Sequence, residues 1–132
     1  MRHRCAVREG WCLVAALAAA LLVVRPVAAA PPALLLPVRL PITGTRDTQV
    51  EAAVLRGLDT LRSRPQERGV LVLRCDAPAE AASGSDFGRS LELARFLGDA
   101  RLAGVKTVAW LPEGATGHAV LVALACDEIV MG

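Results

Sequence analysis

The segment GVLVLRCD, residues 69–76, decides the predicted fold. Its valines and leucines follow one another without polar residues between them, and a glycine and an aspartate bound the run. Short continuous apolar runs of this kind are typical of strands that are buried on both faces, as in parallel sheets. We therefore expect a strand of a parallel sheet here, with both of its faces covered.

Three further segments predict strands. They are the apolar part of PPALLLPVRLP, roughly 34–42 and interrupted by Pro37, then VKTVAWL at 105–111 and DEIVMG at 127–132. Each strand is separated from the next by a stretch long enough for a helix. The resulting order, β-α-β-α-β-α-β, predicts an α/β fold with a parallel sheet and right-handed crossovers.

The first connection carries an apolar stripe at helical spacing, formed by Val50, Val54, Leu58 and Leu61. Its start is expected either at a capping box of Thr48 and Glu51 or at a cap by Asp47. Ligands of parallel sheets bind beyond the carboxyl ends of the strands, so the loops 76–86 and 112–118 are the candidate site.

Two more helices are expected. Asp86 is placed to cap a helix at about 87–103, whose predicted apolar side consists of Leu91, Ala94, Leu97 and Leu102. The third helix is expected at about 117–126. It begins in the Gly-rich turn that forms the second candidate loop.

The first thirty residues have the pattern of a targeting segment. Arginines precede the uncharged run WCLVAALAAALLVV (11–24), and VAAA (27–30) offers small residues for cleavage. As a helix the run would extend roughly 21 Å, less than the roughly 30 Å hydrocarbon core of a bilayer. Residues 1–30 therefore predict an export signal, with an uncleaved membrane anchor as the alternative. Residues 31–132 would then form an exported domain, periplasmic or membrane-associated.

The charge balance argues against nucleic acid as a partner. The chain has 15 basic and 13 acidic residues. Removing residues 1–30 takes away four basic residues and one acidic residue, which leaves 11 and 12 and a net charge of −1. Only three aromatic residues lie in 31–132, so a basic surface with stacking aromatics is not expected.

Two cysteines, Cys75 and Cys126, lie outside the targeting segment. Both end apolar segments, which is typical of buried small apolar side chains. A disulfide between them is the alternative, because export would permit one. Neither a C-x-x-C motif nor a histidine cluster is present, so no metal site and no cofactor is expected.

Two segments carry a resemblance to a known family: RCDAPAEAASG (74–84) and ATGHAVLVALACDEIVMG (115–132). Over residues 34–132 the chain resembles the Clp-protease-like branch of the crotonase superfold, in particular the membrane-associated nodulation-efficiency D proteins and signal peptide peptidase A. That family places a D-T-P-G-G motif after a strand, and a serine turn before a helix that ends in A-A-D-x-I-x-M. The ending ACDEIVM is the most specific of the matches.

The resemblance implies site positions whose usual residues are not present here. Counting back from Asp127, the nucleophilic serine of the family falls on Gly117, and a shift of one residue gives Thr116 as a displaced nucleophile. The paired glycines that would hold the oxyanion fall on Ala79 and Glu80, and Gly84 could take that role only with a realigned loop.

Each candidate also has a simpler interpretation. Thr116 suits the N-cap of a helix. His118 is poorly placed as a base for Thr116, because positions two apart on a helix do not face each other, and it is expected to be partly buried or to line the site. Lys106, the single lysine, begins a strand whose far end lies roughly 16 Å away, so it is expected to be an edge residue or a surface charge rather than a base.

Taken with the resemblance, these positions imply a catalytically degenerate protease fold that acts as a scaffold or peptide-binding module. Peptides or membrane proteins would be its partners, and a homo-oligomer is implied, with Trp110 as a candidate contact. The alternative is an active serine-protease-like peptidase, a hydrolase, with Thr116 as nucleophile and a base from beyond Gly132 or from a neighbouring subunit. A crotonase-type acyl-binding role is a third reading, which Glu80 argues against. The chain stops directly after the fourth strand, so we expect it to be the N-terminal portion of a longer domain.

Overall fold

The computed structural model describes residues 29–77 and 84–132. Within these limits, Pro31–Gly132 form one compact unit. The expected signal or anchor and the two expected oxyanion positions, Ala79 and Glu80, lie outside the described residues. In the described part of the chain, no helix has the length and apolar character needed to cross a bilayer.

Four strands form one parallel sheet: β1 Ala33–Arg39, β2 Val70–Asp76, β3 Lys106–Leu111 and β4 Glu128–Met131. They lie side by side in sequence order, and each neighbouring pair is parallel. The predicted α/β architecture with a parallel sheet is therefore confirmed. Pro37 does not interrupt β1, because β1 is an edge strand and can accommodate a residue without an amide hydrogen.

Three helices connect the strands: α1 Arg46–Leu61, α2 Phe87–Leu97 and α3 Val120–Leu124. The prediction of a continuous helix over 87–103 is wrong, because α2 stops before Gly98 and a separate 3-10 turn follows at Ala100–Leu102. The third predicted helix is also shorter than expected. It starts as a 3-10 turn at Gly117–Ala119 and is α-helical only in α3.

The predicted caps of α1 are both wrong. The helix begins at Arg46 with Thr45 as its N-cap, and no side chain caps it. The Thr48 hydroxyl donates to the Thr45 carbonyl (2.8 Å), and the Asp47 carboxylate pairs with Arg89 (3.1 Å). The predicted cap of α2 is confirmed, because the Asp86 carboxylate accepts the Arg89 amide at 3.0 Å.

The core lies between the helices and one face of the sheet. Leu71, Leu73 and Ala109 on that face are fully buried. From α2, the side chains of Leu93, Phe96 and Leu97 are buried in this core. Leu97 is predicted correctly, whereas Leu93 and Phe96 take the places predicted for Leu91 and Ala94.

Helix α1 packs especially closely on the edge strand β1. A Cβ atom at Gly57 would meet the end of the Leu34 side chain, so a larger residue there would require Leu34 to change its rotamer. On the opposite face of the sheet, Leu35 and Val130 are 54% and 47% exposed. Burial also alternates along β2, where Leu71 and Leu73 are buried and Arg74 is exposed, so the prediction that both faces of this strand are covered is wrong. Trp110 lies on this open face, half-buried, with the Arg74 guanidinium 5.2 Å from its ring centre.

Candidate functional site

The carboxyl ends of the strands surround a cleft of about 250 Å³. Because all strands are parallel, the loop after β2 and the turn after β3 come to the same end of the sheet. The cleft is lined by the segment after β1, by the described ends of the β2–α2 loop and by the turn: Leu40, Pro41, Ala77, Gly84, Ser85, Glu113, Gly114, Ala115, Thr116 and Ala119. Both loops that the sequence selected therefore meet at one site.

A second, more open depression adjoins the cleft and shares Leu40, Ala77 and Glu113 with it. Two arginines and Asp76 complete its wall. The Arg46 guanidinium donates a hydrogen bond to the Pro41 carbonyl at 2.6 Å, which fixes it in the wall of this depression. The Glu113 carboxylate lies where the two depressions meet, and it forms no hydrogen bond or ion pair within the described part of the chain.

The turn after β3 is shaped by two glycines. Gly114 and Gly117 have φ angles of 80° and 60°, in the left-handed region that other residues avoid. Thr116 between them is extended, with φ −128° and ψ 159°, and stands at the N-cap of the 3-10 turn. Its hydroxyl makes no capping hydrogen bond, so the expected N-cap position is present without the expected bond.

His118 is anchored away from Thr116. Its Nδ1 atom lies 2.9 Å from the Ser85 carbonyl oxygen. Because a carbonyl only accepts hydrogen bonds, Nδ1 carries the proton. The imidazole also contacts the Phe87 ring edge-on, with 5.3 Å between ring centres. His118 is exposed and does not line the cleft, so the expectation that it is partly buried or lines the site is wrong.

Ser85 emerges as a residue that shapes the site. It is 6% exposed, and its Oγ atom accepts the backbone amide of Ile42 at 2.9 Å. The Asp86 amide donates to the Ile42 carbonyl at 3.0 Å, so this pair of bonds fixes the loop before α2 against the segment after β1. The sequence marks Ser85 only as a loop serine, because its partner lies 43 residues away.

Lys106 is far from this cleft in the fold. It begins β3, while Thr116 follows the other end of that strand. Its ammonium group pairs with Glu128 at 2.6 Å across the β3–β4 ladder. The prediction that Lys106 is a surface charge is confirmed.

The proposed oxyanion positions are only partly described. Gly84 lines the cleft, and a Cβ atom there would meet open space, so its backbone is accessible. Gly117 also has open space around it.

Both cysteines are free thiols. Burial raises the pKa of Cys75 to about 11. Burial, followed by the proximity of Cys75, raises the pKa of Cys126 to about 12. The interpretation as small apolar side chains is confirmed, and both groups are protonated at neutral pH. Among the described residues, no cluster of histidine, cysteine or acidic side chains could hold a metal ion.

Comparison with family models, with curated proteins and with solved structures gives no significant match.

Proposed function

We propose that the chain is an exported or membrane-tethered domain of the Clp-protease and crotonase type that binds peptide without cleaving it. The observation that carries this proposal is the cleft at the carboxyl ends of the strands, where Thr116 is present and neither His118 nor Lys106 is placed to act as its base. The resemblance of ACDEIVM (125–131) to the motif of that family supports the choice of this fold type.

The cleft alone, at about 250 Å³, is smaller than the pockets of about 300–1,000 Å³ that enclose small molecules, and the adjoining depression adds about 480 Å³. The two together offer room for an extended chain segment. Small residues, including Pro41, Ala77 and Ala115, form much of its wall, and polar atoms contribute the larger part of its exposed lining. Such a cleft has room for one or two small side chains of an extended peptide, with the rest of the peptide lying across the adjoining depression.

The arrangement around Thr116 favours binding over hydrolysis. A hydroxyl nucleophile needs a base within hydrogen-bond reach that removes its proton. His118 directs Nδ1 to Ser85, and Lys106 stands at the opposite end of β3 in an ion pair. Neither side chain can serve Thr116 in this arrangement.

The second candidate is a peptidase that uses Thr116. The observation in its favour is that Thr116 lines the cleft and its hydroxyl has no hydrogen bond that would occupy it at the N-cap. A base placed within hydrogen-bond reach of this hydroxyl would also be needed. This candidate and the binding module make opposite predictions for a covalent probe.

Fluorophosphonate labelling of the native full chain separates the two. The binding module predicts no labelling of protein whose folding has been verified by circular dichroism. Labelling that disappears in Thr116→Ala would instead establish a hydrolase with a displaced nucleophile. Labelling that persists in Thr116→Ala would point to another nucleophile and contradict both assignments of this residue.

Peptide binding is tested separately, by fluorescence anisotropy with short fluorescent peptides of alternating alanine and valine. Ala115→Trp should fill the cleft and abolish binding, because Ala115 lies in its wall. The matched control is Leu55→Trp on the exposed side of α1, which adds the same side chain away from the cleft. Equal binding by both variants, or no binding by the wild type, would contradict the proposal.

A further inference from the structure

Two arginines stand where a third depression of the surface meets the open depression beside the cleft. This third depression, the edge groove, measures about 330 Å³ and lies between β1 and the first half of α1. Most of its wall is apolar and consists of Leu36, Pro37, Val38, Val50 and Ala53, together with Gln49, Arg39 and Arg46. The two arginines also belong to the wall of the open depression, so shared residues link the edge groove, the depression and the cleft in a series.

The backbone orients the Arg46 guanidinium at this junction. Its Nη1 atom donates to the Pro41 carbonyl at 2.6 Å and to the Arg39 carbonyl at 3.4 Å. Within the described ranges its Nε and Nη2 atoms have no hydrogen-bond partner, and neither Arg39 nor Arg46 forms an ion pair. Nε and Nη2 carry two parallel N–H groups that match the two oxygens of a carboxylate. Arg46 can therefore bind a carboxylate while it keeps the bonds that orient it.

Of the two acidic residues in the depression, one is paired and the other lies on the side next to the cleft. The Asp76 carboxylate is bound to the Arg74 guanidinium at 2.8 Å. Glu113 belongs to the walls of the depression and the cleft, whereas the arginines belong to the walls of the depression and the edge groove. The carboxylate of a bound chain is therefore attracted toward the edge groove and repelled from the cleft, which gives the chain one direction.

The arginine pair and the apolar wall lie side by side, and this selects among possible anions. A C-terminal residue carries a carboxylate and a side chain on the same Cα atom, so its carboxylate can bind the arginines while its side chain enters the edge groove. The side chain of an internal aspartate or glutamate supplies only the charge, and the apolar group would have to come from a second residue. The combination therefore fits the apolar last residue of a peptide.

We infer that the site binds a peptide by its free C-terminus. Arg46, together with Arg39, holds the terminal carboxylate, and the side chain of a large apolar last residue lies in the edge groove. This inference rests on the proposed function, because the preceding residues of the same peptide occupy the depression and the cleft. It adds that the partner is a chain end rather than an internal segment.

Fluorescence anisotropy of the native full chain tests the inference with three peptides that carry fluorescein at the N-terminus and alternate alanine and valine. The first ends in leucine with a free carboxylate, the second in leucine amide, and the third in glycine with a free carboxylate. The amide should raise the Kd at least about tenfold, because it removes the charge that the arginines bind. The terminal glycine should raise it about fivefold or more, since it places no side chain in the edge groove.

Substitution of Arg46 tests the carboxylate contact through the ratio of the amide Kd to the acid Kd. Arg46→Gln should lower this ratio to about threefold or less and leave the amide Kd nearly unchanged, because only the charged contact is lost. Arg46→Lys keeps the charge without the paired donors and should give an intermediate ratio. The matched control is Arg56→Gln on the exposed side of α1, which removes the same charge outside these depressions and should leave the ratio unchanged.

Ala53→Leu tests the edge groove separately. Ala53 lines the edge groove but not the depression, so a leucine there should fill the groove and leave the arginines accessible. The variant should lose the preference for a terminal leucine over a terminal glycine, and it should keep the preference for the acid over the amide.

The outcomes distinguish the inference from the proposed function. Equal Kd values for the acid and the amide would overturn the inference and leave peptide binding intact. An amidated peptide with an internal glutamate that binds as tightly as the free acid would assign the arginines to an acidic side chain, which also overturns it. Binding of none of the peptides would contradict the proposed function and the inference with it. Circular dichroism of each variant verifies that the fold is intact.

Discussion

Asp127 and Thr107 join strands β3 and β4 through three hydrogen bonds. The Asp127 carboxylate accepts the Thr107 amide at 2.8 Å and its hydroxyl at 3.2 Å, and the same hydroxyl accepts the Asp127 amide at 2.9 Å. The Arg68 guanidinium adds a contact at 3.4 Å. The aspartate of the ACDEIVM ending thus has a structural role, which is to position β4 in the sheet.

We expect Asp127→Asn to lower the free energy of unfolding by about 1 kcal/mol. The charge-assisted bonds to Thr107 are weakened, and the exposure of the carboxylate limits the loss. Urea unfolding measures the change. Asp59→Asn, an exposed change on α1, is the control and should leave the stability unchanged. Equal unfolding midpoints for the two variants would contradict the structural role.

The same contact predicts a pH dependence. The backbone amide of Thr107, and then its hydroxyl, lower the pKa of the Asp127 carboxyl below its usual value. A carboxyl with a lowered folded-state pKa stabilises the fold at pH values above its unfolded pKa of about 3.9. That stabilisation is lost as the pH falls through the folded-state pKa. The difference in stability between the wild type and Asp127→Asn should therefore shrink in acid, and a constant difference would contradict the assignment.

Two buried serines should respond in opposite ways to replacement by alanine. Ser85→Ala leaves the Ile42 amide without its acceptor and should cost about 1–2 kcal/mol. The Ser90 hydroxyl is buried in α2 and has no hydrogen-bond partner among the described residues. Ser90→Ala should therefore be neutral or stabilising by up to about 1 kcal/mol. Thermal unfolding of the two variants compares them, and a larger loss for Ser90→Ala would refute this ranking.

The buried Asp47 depends on Arg89. The Asp47 carboxylate is 4% exposed and its partner guanidinium is 44% exposed, at 3.1 Å. Arg89→Ala would leave a buried carboxylate without its partner, and we expect a loss of about 2–3 kcal/mol. Asp47→Ala removes both the charge and the need for a partner, so the double variant should lose less than the sum of the single losses. Chemical denaturation of the four proteins gives the coupling, and strictly additive losses would argue against it.

The sequence predicts the sheet well, because the strand signals are local. The run at 69–76 and the helix-length connections are sufficient for the alternation of strands and helices and for the parallel direction. The position of the candidate cleft follows from that direction, since loops after parallel strands must share one end. Even the Asp86 cap could be predicted, because its partner, the Arg89 amide, is three residues away.

The errors arise where distant residues decide the local structure. Asp47 does not cap α1, because Arg89, 42 residues away, takes its carboxylate. His118 leaves the cleft wall because the Ser85 carbonyl, 33 residues away, fixes its ring. Periodicity and spacing in the sequence do not predict such long-range contacts. Where these contacts form, they override the local conformational propensity of the residue.

Gly117 occupies the position at which the family resemblance would place a serine. Its φ of 60° makes any side chain there cost about 1–2 kcal/mol, although the space around it is open. Gly117→Ser should therefore fold with reduced stability. It should not gain fluorophosphonate reactivity, because neither His118 nor Lys106 is placed to act as a base at this turn. Gly98→Ser, at a φ of −85° and with ordinary contacts around a Cβ atom, is the control and should be tolerated. Labelling of Gly117→Ser but not of Gly98→Ser would mean that the remaining catalytic groups are present after all, and that the cleft has lost only its nucleophile.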